Sequence, residues 1–243
     1  MAHWSPAWQW TLLALVTCSA GVVRGLAGFG GPLILVPVFS FFYPPPSAIA
    51  SVMLIDFSAN LKLLPDALRQ SRAAIVLPII GGALLTLPLA GWLLHSVPVA
   101  WLRDVVYLVV GTMSLLILSG WRYRGSQTTG TLLAVGAANG MVVGTTAIGV
   151  ALYPFLIGGL QSAVQSRAHF IVWAFFCTSS AFVVVWLNGS VGAAEWWRAL
   201  WLAPAYLGGV FVGNRSYRLV DEAVLRRLVL LVLIAVEIAG VLA

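Results

Sequence analysis

Long apolar runs separated by short polar stretches dominate the chain, and their lengths match a bilayer rather than a soluble core. A helix needs about 20 apolar residues to cross the hydrocarbon. Four segments fit that length well: 47–66, 73–94, 101–121 and 168–187. Two shorter ones, 199–213 and 228–243, are also expected to span. Two segments are the wrong length. Residues 8–43 exceed one span and carry Gly25, Gly28, Gly30 and Gly31; residues 131–157 carry Gly136, Gly140, Gly144 and Gly149. Each is expected to form a hairpin of two short helices broken at its glycines.

The pattern repeats along the chain. Gly21-x3-Gly25-x4-Gly30 matches Gly140-x3-Gly144-x4-Gly149, and Pro37 has a counterpart in Pro154 two residues out of step. Ser47-Ala48-x2-Ser51 matches Ser162-Ala163-x2-Ser166. Arg72-x5-Pro78-x2-Gly81-Gly82 parallels Arg198-x5-Pro204-x3-Gly208-Gly209. Residues 97–120 then parallel 220–243. The matches keep their order, which points to a duplication. The expected fold is all-α and polytopic, with repeats at 1–124 and 125–243, each a glycine-broken hairpin plus three transmembrane helices. A hairpin returns to its own side, so each half crosses an odd number of times and the halves are inverted.

Composition agrees: 61% of the 243 residues are hydrophobic and 8% are charged, with a mean hydropathy of +1.00. A soluble domain carries about 25% charged residues, so lipid must be the outer solvent. The net charge of +6 does not imply nucleic acid, because the basic residues stand singly or in pairs between apolar runs. They set topology instead. With both termini outside, Lys62, Arg69, Arg72, Arg122, Arg124, Arg167, Arg215, Arg218, Arg226 and Arg227 fall on the cytoplasmic side; Arg24, Arg103 and Arg198 do not. Most tryptophans, among them Trp4, Trp92, Trp121 and Trp197, lie near span ends, where aromatic belts form. The N-terminal MAHWSPAWQW holds no Lys or Arg, so it lacks the charged start of a secretory signal and the first apolar segment is expected to remain.

Candidate chemistry concentrates at the hairpin breaks. In Arg24-Gly25-Leu26-Ala27-Gly28-Phe29-Gly30-Gly31-Pro32, glycines permit non-helical backbone and Pro32 suits the first turn of a new helix. A helix starting near Gly31 offers free N–H groups and a positive dipole end to an anion. Arg24 adds a full positive charge one turn earlier, unless it is an interface anchor reaching for headgroups. In the second hairpin Thr145 or Thr146 is expected to cap the second short helix and to donate to an oxyanion, with Asn139 the nearby amide. Close helix packing is the competing account of these glycines. Asp56 lies inside a span; it either carries a proton or pairs with Arg24 or Lys62. His169 is a candidate proton carrier or a structural histidine. Glu237 in the last span serves coupling, helix pairing or a homodimer contact.

Enzyme readings find little support. The chain has no His/Glu metal pair at helical spacing, and Cys18 and Cys177 lack nearby ligand partners. The glycine motifs follow no strand. No metal, cofactor or catalytic residue is expected; the expected partners are a small anion and the bilayer.

The pattern Gly21-x3-Gly25-x2-Gly28-Phe29-Gly30-Gly31-Pro32-Leu33-x3-Pro37, with Ser47-Ala48 and Ser51 after it, resembles the first half of TauE/SafE (sulfite exporter) membrane permeases. The second copy, from Gly140, is similar, with Val150 where that family usually has a further glycine. The resemblance covers essentially the whole chain. It implies a bacterial inner-membrane permease for small sulfur-containing anions such as sulfite or organosulfonates, usually exporting. The alternatives are an importer or channel for another small anion such as a carboxylate, or a membrane enzyme or non-transporting subunit.

Overall fold

The computed structural model describes residues 7–149, 151–158, 162–189 and 191–216. Within them the chain is helical: α1 (Ala7–Ala27), α2 (Gly31–Phe42), α3 (Pro45–Gln70), α4 (Ala73–Ser96), α5 (Val99–Ser119), α6 (Thr129–Thr146), α7 (Leu152–Ile157), α8 (Ala163–Leu187) and α9 (Ala193–Ser216). The expected span 228–243, with Glu237, lies outside the described residues.

Among the described residues, four helices are long and apolar enough to cross a membrane: Trp8–Ala27, Pro45–Gln70, Ala73–Leu94 and Val164–Leu187. Their outward faces are apolar. Leu15, Leu77, Leu85, Trp92 and Leu187 are all exposed, which suits lipid and would be a liability in water. At 26 residues, α3 is about 39 Å long. It exceeds the hydrocarbon thickness of about 30 Å, which leaves length for tilt or for ends in the headgroup region.

The hairpins differ from the expected pair of short helices. In each, the first helix is long and only the return is short: 21 residues against 12 in the first, 18 against 6 in the second. The reason is that most of the glycines do not break helices. Gly21 and Gly25 lie inside α1, where a methyl group would run into the Tyr206 and Val210 carbonyls of α9. In return, Gly209 and Gly213 of α9 sit against the Cys18 and Val22 carbonyls of α1. Gly136 and Gly140 of α6 stand likewise against Ile79 and Ala83 of α4. Without a hydrophobic force between helices in lipid, close backbone approach supplies the attraction. Thr86 of α4 adds a cross-helix bond to the Ala137 carbonyl at 2.8 Å. Helices α3 and α8 pack between these two pairs.

The termini are closed locally. Ser162 and Gln165 form a capping box on α8, and the Thr128 hydroxyl accepts from the Thr131 N–H at the start of α6. Ser166 ties α8 to the second hairpin through the Leu156 carbonyl at 3.1 Å.

Candidate functional site

The first break spans three residues. Gly28 ends α1 with φ of 78° and Gly30 precedes α2 with φ of 94°, a left-handed backbone that favours glycine. Pro32 stands in the first turn of α2, as expected. The chain direction changes here beside a buried polar cluster.

Arg24 is 1% exposed. Its guanidinium donates to the Gly28 carbonyl and to Asn60 Oδ1. It faces Asp56 with Nε 3.1 Å from Oδ1 and with a terminal nitrogen 3.4 Å from Oδ2. Asp56 also accepts from the Tyr206 hydroxyl at 2.6 Å and from Asn60 Nδ2 at 2.9 Å. The Phe170 ring centroid lies 5.7 Å from the guanidinium carbon, within cation–π range. Four helices thus supply one network: α1, α3, α8 and α9.

Two expectations change. Arg24 does not offer an unopposed positive charge, because Asp56 balances it. An isolated guanidinium in a dry interior is far costlier than a paired one. Of the two cations considered for Asp56, the structure selects Arg24; Lys62 instead places its ammonium 4.9 Å from the Phe211 ring centroid. The dipole argument also meets an occupant. A methyl group on Gly31 would sit against the Tyr206 hydroxyl and 3.4 Å from Asp56 Oδ1, so the carboxylate beside the start of α2 is the protein's own.

The second break uses other residues. Ala147 ends α6 with φ of 58°. Thr146 donates to the Val142 carbonyl at 2.7 Å and accepts from the Ile148 N–H at 3.2 Å. Thr145 donates to the Met141 carbonyl at 2.9 Å. Neither threonine caps the short helix: the residue before α7 is Ala151, without a side-chain cap. Both hydroxyls close the end of α6 instead, since each reaches a carbonyl one turn back.

Between the breaks lies a cavity of about 20 Å³, room for about one water-sized group. Arg24, Gly30 and Asp56 line it from the first half; Ala147, Ile148 and Gly149 line it from the second break; Phe170, Trp173, Ala174 and Thr178 line it from α8. The rings of Phe29 and Tyr153, 4.0 Å apart, join the first break to α7.

Of the residues singled out from sequence, Arg24, Gly30, Pro32, Asp56 and Gly149 meet in this cavity. The others stand outside its lining. Gly28 packs under the Arg167 side chain, which reaches the Gly25 carbonyl and Asn214 Oδ1, each at 2.9 Å. Asn139 donates to the Val135 carbonyl of its own helix at 3.0 Å. His169 Nε2 accepts from the Arg72 N–H at 2.9 Å, closing the start of α4. Tyr206, Trp173 and Thr178 belong to the site although no sequence signal selected them.

A second polar cluster joins the starts of α3 and α9. Arg198 donates to Ser47 at 2.7 Å and Ser51 at 3.1 Å, and pairs with Glu195 at 3.2 Å. Ser47 in turn donates to Glu195 at 2.5 Å, and the Arg198 guanidinium lies 3.9 Å from the Tyr43 ring centroid. The repeated serine motif therefore does different work in each copy: an interhelix tie here, a capping box and a hairpin tie in the second.

The pattern of the family described as sulfite exporter TauE/SafE matches residues 13–239. The chain belongs to the TauE/SafE family. Membership covers both hairpins and the cavity, and it implies a membrane transporter of sulfur-containing anions. No curated protein and no solved structure matches the chain.

Proposed function

We propose that this TauE/SafE protein exports a small sulfur-containing oxyanion, such as sulfite or an organosulfonate, across a bacterial inner membrane. The carrying observation is the cavity, where a buried arginine and the breaks of two separate hairpins meet. Non-helical backbone at membrane depth is tolerated where it lines a cavity or is buried in protein.

The substrate competes with Asp56 for the Arg24 guanidinium. A cavity with room for about one water-sized group must widen to take a sulfur oxyanion, and the left-handed residues at Gly28, Gly30 and Ala147 are the hinges. Widening from one side and then the other is alternating access. Inverted halves support this motion. Exchanging the halves carries α1 onto α6 and α4 onto α9, so the α1–α9 pair becomes the α6–α4 pair. Ten of thirteen basic residues fall on one side when both termini are exterior, which fits the positive-inside rule. Asp56, the carboxylate facing Arg24, is the group to test for proton coupling.

Flux in proteoliposomes tests the reading. Saturable efflux of sulfite or a sulfonate, exceeding that of a carboxylate, is expected. Absence of flux for every anion, or a preference for cations, would refute it.

A further inference from the structure

Trp173 carries a polar atom that the network around Arg24 leaves unused. Its side chain is 1% exposed, and its indole N–H has no hydrogen-bond partner among the described residues. An indole N–H can only donate, and a buried one usually finds an acceptor. The ring lies in the cavity lining with Phe170, Ala174 and Thr178, the spacing of one face of α8. Arg24 and Asp56 line the same cavity from α1 and α3.

The ring is held in place. Phe170 packs against it with centroids 5.5 Å apart. A methyl group on Gly149 would lie 2.6 Å from Cη2 and 2.7 Å from Cζ3, so the glycine of the second break makes the room that the indole fills. A fixed ring with a buried, unmatched donor at a cavity is arranged for an acceptor that comes and goes.

We infer that the Trp173 N–H is a second, uncharged anchor for the transported anion, acting together with Arg24; this rests on the transport reading above. The ligand class is an oxyanion with at least two acceptor oxygens, one for the guanidinium and one for the indole. A neutral donor adds direction without adding charge, so it orients the anion and still permits release. A second cation would hold the anion more strongly and oppose its exit. A halide is a single acceptor centre, so it satisfies both donors only where they converge on one point, whereas an oxyanion can offer each donor its own oxygen.

Trp173→Phe keeps an aromatic ring and deletes the donor. In proteoliposomes it is expected to raise the KM for sulfite about tenfold or more, as loss of a hydrogen bond to a charged group does, with little change in maximal rate and a smaller effect on chloride. Sulfite should raise the thermal midpoint of the wild-type protein and fail to do so in the variant, whatever the lost packing does to the ligand-free midpoint. A merely structural tryptophan would lower the ligand-free midpoint and leave the sulfite-induced shift intact. If Trp173→Phe does not fold, benzothienylalanine at position 173, with sulfur replacing N–H in the same shape, is given the same measurements. An unchanged KM and an unchanged sulfite shift in either variant overturn the inference. Absence of both flux and shift in the wild-type protein refutes the transport reading instead.

Discussion

The chain leaves α1 through Gly28 at φ 78° and leaves α6 through Ala147 at φ 58°. When the two glycine motifs are aligned, Gly28 and Ala147 fall at the same position. The backbone turn is therefore common to both breaks, but the chemistry beside it is not. Val143 stands where the first copy has Arg24; both line the cavity. By the serine motif, Ile171 and Phe175 stand where the first copy has Asp56 and Asn60, and by the Arg–Pro motif Ile80 corresponds to Tyr206. Every polar member of the buried network has an apolar counterpart. The two breaks share a left-handed turn at the end of the long helix, while the buried charge pair is built from α1 and α3. A single buried ion pair draws partners from four helices, whereas a second pair would repeat the desolvation cost.

The largest test of that contrast removes one charge. Arg24→Ala leaves the Asp56 carboxylate buried with only Tyr206 and Asn60 as partners. It is expected to destabilise the protein by about 3–5 kcal/mol, read by thermal or denaturant unfolding, and to abolish sulfite flux. Replacing both partners with apolar residues, Arg24→Met with Asp56→Leu, is expected to recover most of the stability, because apolar replacement of a whole buried pair is often neutral. Arg24→Ala at wild-type stability would show that the pair is not dry.

An intermediate effect is expected at Tyr206→Phe. It deletes a 2.6 Å bond to a carboxylate, for a loss of about 1.5–3 kcal/mol. The corresponding change at its apolar counterpart in the first half, Ile80→Val, is expected to cost about 0.5–1.5 kcal/mol. Equal effects would erase the distinction between the polar network and its apolar counterpart positions.

The smallest effects concern the turns, and their signs are opposite. Gly30→Ala forces a side chain to φ 94° and is expected to cost about 1–2 kcal/mol. Ala147→Gly relieves the same kind of strain and is expected to stabilise by up to about 1 kcal/mol. Destabilisation by Ala147→Gly would mean that the alanine methyl contributes packing that outweighs the turn.

What was readable before the fold was known follows from the physics of each feature. The first hairpin was readable because an apolar stretch over 8–43 cannot be one span and Gly30-Gly31-Pro32 marks a helix start. The second was readable only as a length. Its turn residue, Ala147, has no glycine to announce it, so sequence alone points Thr145 and Thr146 to the start of α7 rather than the end of α6. The roles of Gly21, Gly25, Gly136 and Gly140 were ambiguous, since packing glycines and breaking glycines look alike until the neighbouring helix is placed. Asp56 had two candidate partners in sequence, and only the crossing of α1 and α3 selects Arg24. Tyr206 and Trp173 were illegible, because an aromatic residue in an apolar run reads as core or belt.

The most direct measurement is sulfite flux in proteoliposomes containing either the wild-type protein or the Arg24→Met, Asp56→Leu pair, with folding of both verified by unfolding. The account predicts saturable sulfite flux for the wild-type protein and none for the folded, charge-free pair. Equal flux from both would contradict the assignment of Arg24 and Asp56 to the transport site.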